Sequence, residues 1–304
     1  MERFEVNILG CGSAMPSARH NPSAQVVNFR DNLFMIDCGE GAQLMMRRMG
    51  LQFSRLNHIF ISHMHGDHVL GLPGLLSTMG LHERSGTVTV HLPEEGMAVM
   101  REIVDFFCRH SPFEIRLEAV TGAGGRVFES DSLTVDAFPL YHRVPCYGYV
   151  MREKPKLRHL RGDMVKFHEI PVAALRGIKE GADFVTPDGR VLPNAMLTTE
   201  ADRSRSYAYC SDTIFDERVA EAVRGIDTIY HEATYDSSLQ GQARERGHST
   251  AAEAGRIAAL AGAGRLVIGH YSKRYTDIGL LLDEARREFA NTIAADEGMK
   301  IELK

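Results

Sequence analysis

The chain has 304 residues, 44% hydrophobic and 25% charged, with a formal net charge of -5. That length buries one large core or two modest ones, and the charge excludes a molecule whose overall field attracts nucleic acid. The opening "MERFEVNILG" puts charges where a signal peptide needs an apolar run, and no stretch reaches the roughly 18 apolar residues of a membrane span, so a cytoplasmic protein is expected.

In chain order, short β-branched or aromatic runs repeatedly lead into an ionisable residue. "EVNILG" enters the Gly-rich turn "GCGS", which lacks G-x-G-x-x-G spacing, and "LFMID" ends at Asp37. "HIFIS" leads to His63, "LTVDAFPL" to His142 and "SYAYCSD" to Asp212; "DTIYHEA" carries Glu232 and "RLVIGH" ends at His270. Helix-like segments such as "MAVMREIVDFFCRH" and "TAAEAGRIAALAGA" lie between them. The pattern predicts an α/β architecture with helices on the sheet faces and a site at strand carboxyl ends. Residues from about Met151 to Ala201, rich in charge and Pro and with a tight turn at "TPDGR", read as an excursion within a single domain of residues 1–304. Its first part, "MREKPKLRHLRGDMVK", has six Lys or Arg against two acidic residues, a local charge of +4.

Five cysteines (Cys11, Cys38, Cys108, Cys146, Cys210) are scattered and form no C-x-x-C pair, which argues against disulfides and against a cysteine zinc site. Histidine carries the signal instead. In "SHMHGDH", His63 and His65 leave the same face of an extended segment. Gly66 allows a sharp turn, and Asp67 and His68 follow at the start of the apolar "VLGLPGLL". Four such side chains converge poorly on one ion; His63 with His65 on one and Asp67 with His68 on another is easier. Imidazole and carboxylate suit Zn²⁺ or Mn²⁺, and two metals ~3.5–4 Å apart are a recurring hydrolytic device. Further on, "HSTAAE" reads as a helix start with Thr250 and Glu253 forming a capping box, which holds His248 in the loop ahead. The helix dipole disfavours imidazolium there, so a carboxylate partner is needed, and Glu232 fits.

"SHMHGDH" resembles the H-x-H-x-D-H signature of metallo-β-lactamase-fold hydrolases, whose fold is a four-layer αββα sandwich. "ILGCGSAMP", "FMIDCGEGAQ", "YAYCSDT", "HEATY", "GHSTAAEAG" and "IGHYSKRY" together resemble ribonuclease Z, the tRNA 3′-end endonuclease, over nearly the whole chain. The resemblance implies that His142 completes a first site with His63 and His65, that His270 joins Asp67 and His68 at a second, and that Asp212 bridges them. Two Zn²⁺ ions per subunit, or Mn²⁺, would then be held, with Asp37 a hydrogen-bonding support and His231 structural. Asp67, His248 and Glu232 become the catalytic residues, with His248 as proton donor to the leaving oxygen.

The implied reaction is cleavage of precursor tRNA after the discriminator base, leaving a tRNA 3′-hydroxyl and a trailer 5′-phosphate. Arg152, Lys154, Lys156, Arg158, Arg161 and Lys166 fall on the family's substrate-gripping arm, here about residues 151–200, and would contact the RNA backbone. A homodimer is implied, with one subunit's arm serving the other's site. Two departures stand out. The arm has no Gly-Pro pair, and "PSARHN" carries Ala18 and His20 where the family has Lys and Arg. The atypical arm and acidic charge favour, as the alternative, a phosphodiesterase of the same fold acting on small or cyclic esters.

Overall fold

The near-continuous apolar runs become strands buried on both faces, as in sheets covered from two sides. The computed structural model describes residues 2–81 and 84–304. In chain order its strands are β1 (Phe4–Gly10), β2 (Ala24–Phe29), β3 (Asn32–Cys38), β4 (Leu56–Phe60), β5 (Thr87–Pro93), β6 (Glu114–Val120), β7 (Gly125–Glu129), β8 (Leu133–Leu140) and β9 (Cys146–Glu153). There follow four two-residue strands, β10 (His159–Leu160), β11 (Phe184–Val185), β12 (Val191–Leu192) and β13 (Thr198–Thr199). The last are β14 (Ser206–Cys210), β15 (Thr228–Glu232), β16 (Arg265–Gly269), β17 (Thr292–Ala294) and β18 (Lys300–Glu302).

One seven-stranded sheet has the order β18-β1-β2-β3-β4-β5-β6, antiparallel through β3 and parallel from β3 to β6. The other has the order β17-β16-β15-β14-β9-β8-β7, parallel from β14 to β17. Tyrosines lock the two together. Tyr149, Tyr207 and Tyr209 of the second sheet are fully buried. The Tyr149 hydroxyl donates to the Ile61 carbonyl at 2.7 Å, Tyr209 to Asp37 Oδ2 at 2.8 Å and Tyr207 to the Gln25 side chain. A buried phenol needs such a partner, so these bonds fix how the sheets face each other. The outer face of the first sheet packs Leu33, Met35, Ile59 and Val90 against Met46, Leu72, Leu76 and Met100 of flanking helices. On the second sheet, helix Ala251–Ala261 packs on β15 and β16 and against helices Glu217–Ala222 and Gly279–Glu288. Two mixed sheets flanked by helices are the αββα sandwich that the resemblance implied.

The chain divides into two compact units. The larger holds residues up to Phe128, Val135–Met151 and Arg205–Lys304; the smaller holds Glu129–Thr134 and Arg152–Ser204. The smaller unit has an apolar nucleus of its own, Ile170, Ile178, Leu192 and Leu197, against which Leu160, Met164 and Phe184 pack. Its two ribbons are β10-β13 and β11-β12, the second closed by the turn at "TPDGR", where Gly189 N–H donates to the Thr186 carbonyl at 2.9 Å.

All five cysteines are buried and free, and among the described residues no helix is long and apolar enough to cross a membrane. The capping box expected at Thr250 is present: Thr250 Oγ1 accepts from Glu253 N–H at 3.2 Å, and the Glu253 carboxylate accepts from Thr250 N–H at 2.9 Å. Thr250→Ala should therefore lower unfolding stability by about 1 kcal/mol. A urea melt of the variant checks this, and an unchanged midpoint would show the cap to be dispensable.

Candidate metal centre

The carboxyl ends of β3, β4, β8, β14, β15 and β16 deliver Asp37, His63, His142, Asp212, Glu232 and His270 to one edge of the sandwich. Asp37 (φ 54°) and His270 (φ 60°) stand in the left-handed region. That conformation costs a non-glycine residue about 1–3 kcal/mol and persists where the surroundings impose it, often at functional sites. The sharp turn expected at Gly66 is instead the first residue of a short helix, Gly66–Val69, so Asp67 and His68 leave its first turn. The helix is closed by the Leu70 N–H, which donates to the Gly66 carbonyl at 3.0 Å.

The seven residues expected to hold metal are brought together in two groups that share Asp212. In the first, His63 Nε2 and His142 Nε2 lie 3.0 and 3.3 Å from His65 Nδ1, and 3.6 and 3.8 Å from Asp212 Oδ2. In the second, His68 Nε2 and His270 Nε2 are 3.3 Å apart, each 3.5 Å from Asp67 Oδ2 and respectively 3.6 and 3.2 Å from Asp212 Oδ1. Ligand atoms around a tetrahedral zinc, at bonds of ~2.0–2.1 Å, stand about 3.3 Å apart. The spacing thus fits a divalent cation in each group. Asp212 Oδ1 is buried with no hydrogen bond among the described residues, an acceptor that a bound cation would satisfy.

Charge leads to the same conclusion. Burial disfavours ionisation of Asp67 and Asp212, yet the surrounding histidines hold both carboxyls far below their usual range. Burial also works against His68, but Asp212, Asp37 and Asp67 push it well above the ordinary imidazole value. Burial lowers His63, His65 and His142, which leaves them in the neutral form a metal requires.

Four of the five inward-facing rings are held by their other nitrogen. His68 Nδ1 is 2.7 Å from Asp37, His142 Nδ1 2.7 Å from the Gly247 carbonyl, His270 Nδ1 2.9 Å from Thr234 Oγ1 and His63 Nδ1 3.0 Å from Ser62 Oγ. Asp37 is itself fixed by Ser62 N–H and the Tyr209 hydroxyl at 2.7 and 2.8 Å. Such outer bonds set tautomer and ring direction. Gly247 is left-handed (φ 77°), and a Cβ there would stand 2.6 Å from His142 Nδ1, so only glycine keeps this bond.

At the rim, His248 Nδ1 lies 3.0 Å from Glu232 Oε1. Glu232 is fully buried and also accepts from Thr213 N–H at 3.0 Å and Thr234 Oγ1 at 2.6 Å. Burial works against a charged His248, but Glu232 and Asp212 outweigh it and raise its pKa to about 9. His231 is fully buried, with Nδ1 on the Glu232 carbonyl at 2.7 Å.

Sequence reasoning missed Thr234, whose hydroxyl reaches Glu232, His248 and His270, and Ala14, whose N–H donates to Asp67 Oδ2 at 2.7 Å. Thr234 lies inside the quoted "HEATY"; nothing local signals Ala14. His20, standing where the family has Arg, binds Glu297 at 2.7 Å and lies 3.4 Å from Cys11 Sγ. Among the six basic residues from Arg152 to Lys166, Lys154 pairs with Glu129 at 2.5 Å, Lys156 with Glu153 at 3.0 Å and Arg161 with Asp163 at 3.4 Å. Arg158 engages both carboxylate oxygens of Glu200 at 2.9 and 2.8 Å. The ten Lys and Arg of the smaller unit are matched by ten Asp and Glu.

Asp37→Asn and Gly247→Ala should each weaken zinc binding by about 10–100-fold while the chain stays folded. Competition against a chromophoric chelator measures this; wild-type affinity in both would mean that the ring-holding bonds do not matter.

A family profile described as Anti-Pycsar protein Apyc1 matches residues 4–102. The chain is 49% identical to Ribonuclease Z of Parabacteroides distasonis over 304 residues, 100% of both proteins. Human tRNase Z, short form (ELAC1), has a similar structure, with a TM-score of 0.72 at 24% identity over 99% of each chain. So does the metallo-β-lactamase fold protein YhfI from Bacillus subtilis, with a TM-score of 0.69 at 17% identity over 99% of each chain. Those two likenesses speak for the fold, whereas the depth and full reach of the first speak for descent: the chain belongs to the ribonuclease Z family, and is a metal-dependent hydrolase, an endoribonuclease.

Proposed function

We propose that this endoribonuclease removes the 3′ trailer from precursor tRNA in the cytoplasm, cleaving after the discriminator base and leaving a tRNA 3′-hydroxyl and a trailer 5′-phosphate. The observation that carries the reading is full-length identity of 49% to a Ribonuclease Z, joined to a buried carboxylate–histidine pair at the rim of a seven-donor cluster. His63, His65, His142 and Asp212 would hold one divalent cation, and Asp67, His68, His270 and Asp212 a second; zinc suits the donors best, manganese next. When bound, such a pair supplies a water of lowered pKa and Lewis-acid stabilisation of the phosphoryl oxygens.

The chain's own residues do the rest. Asp67, held by the Ala14 N–H, orients the attacking water. His248 gives a proton to the departing 3′-oxygen, from Nε2, since Nδ1 is committed to Glu232. Glu232 keeps that imidazole charged against its burial. The smaller unit, including Arg152, Lys154, Lys156, Arg158, Arg161 and Lys166, contacts the tRNA backbone, and the protein works as a homodimer. The charge balance of the smaller unit favours one rival, a phosphodiesterase of small esters.

Purified protein loaded with zinc should cleave a precursor tRNA once, at the discriminator base. Efficient turnover of bis(p-nitrophenyl) phosphate with no cleavage of the precursor would establish the rival instead. Asp212→Ala should lose bound metal and both activities. His248→Ala should keep its metal and lose about 10²–10⁴-fold in kcat on precursor tRNA. It should lose far less on the aryl ester, because nitrophenolate departs without a proton. Equal losses on both substrates would remove His248 from the proton-donor role.

The pH profile checks Glu232. A donor raised to about 9 is protonated below that value and fails as the pH climbs through it. Glu232→Gln removes the charge that raises it, so the alkaline limb of kcat should move to lower pH. An unmoved limb would assign that limb to another group.

A further inference from the structure

We infer that the cavity beside His248 is a phosphate-binding subsite for the RNA strand next to the cleaved bond, and that it supplies most of the ionic part of RNA affinity. The inference rests on the RNA substrate proposed above. The cavity measures about 430 Å³, within the usual range for ligand sites, and Arg143, Arg246, Lys273 and Arg274 line it together with His248. All of these belong to the larger unit.

These four cations are gathered on one cavity with their charge left uncompensated. None is ion-paired to a carboxylate among the described residues. Arg246 Nη1 contacts the Tyr235 hydroxyl at 3.4 Å, and the Arg274 guanidinium lies 4.9 Å from the centre of the same ring. Arg274 Nη1 also reaches Gln242 Oε1 at 3.5 Å, and Lys273 Nζ has only the Met15 sulfur, at 3.1 Å. Neutral partners orient a cation without cancelling it. Tyr235 is buried, so it acts as a fixed floor that pre-positions two guanidinium groups. In a protein of net charge -5, four uncancelled cations on one cavity repel each other until an anion arrives.

The contrast with residues 152–166 decides where the charge acts. There, Lys154, Lys156, Arg158 and Arg161 are already paired, so a phosphate gains little unless a carboxylate is displaced. At the cavity nothing is displaced. Guanidinium groups match phosphate oxygens two at a time, and an ammonium adds a point charge. With His248 on the same wall, a phosphodiester bound there is a neighbour of the one being cut.

The test uses the zinc-loaded, full-length protein in a His248→Ala background, which slows cleavage during binding. The slope of log Kd for precursor tRNA against log salt is measured for Arg246→Gln/Lys273→Gln/Arg274→Gln and for Lys154→Gln/Lys156→Gln/Arg158→Gln/Arg161→Gln. Each lost phosphate contact flattens that slope by about 0.7–0.9. The cavity variant should flatten it by about 2–3, and the other variant by less than half as much. With His248 restored, the cavity variant should show a roughly 100-fold lower ratio of kcat/KM on precursor tRNA to that on bis(p-nitrophenyl) phosphate, mostly through KM. A wild-type slope in the cavity variant, or a larger change in the other, overturns the inference. If wild-type enzyme fails to cut precursor tRNA, the substrate reading falls by itself. The same slopes measured on a single-stranded RNA oligonucleotide then judge the subsite.

Discussion

The structure turns on one buried carboxylate. Asp212 leaves the end of β14 and offers one oxygen to His63 and His142 and the other to His68 and His270. A carboxylate taken from water at such depth is stable only beside compensating positive charge. Four histidines, delivered by the segments after β4, β8 and β16, surround it in an arrangement that a divalent cation would complete. The tyrosine bonds between the sheets fix the distance over which these loops meet, because Tyr209 anchors both β14 and the Asp37 that steadies His68.

A division of labour follows along the sheet edge. His63 and His142 are neutral by burial and are steered from behind by oxygens, whereas the carboxylates around His68 and the Glu232 beside His248 favour the charged form of those two rings. Two kinds of histidine thus sit side by side, one suited to binding a cation and one to giving up a proton. The difference lies in what stands behind each ring. A carbonyl or hydroxyl sets a tautomer and leaves the ring neutral, while a carboxylate favours its charged form.

Much of this is legible in the sequence, for a physical reason. His63, His65, Asp67 and His68 form a local pattern, and runs of apolar residues mark out β3, β4, β8, β14, β15 and β16 without reference to anything distant in the chain. Thr250 and Glu253 signal a helix start by spacing alone. What stays hidden depends on tertiary placement. The Ala14 N–H meets Asp67 because of a backbone in the left-handed region (φ 66°), and Thr234 matters because three elements converge on it. The basic window from 151 to 166 misleads in the same way: its partners Glu129 and Glu200 lie outside the window, so counting within it overstates the free charge. Arg143, Arg246, Lys273 and Arg274 show the reverse, being scattered along the chain yet gathered on one cavity.

The smaller unit carries its own apolar nucleus around Ile178 and Leu197 and answers its cations with its own carboxylates. A segment that satisfies its packing and its electrostatics internally is free to drift. Over generations it can lengthen, shorten or change its outer face while keeping that nucleus.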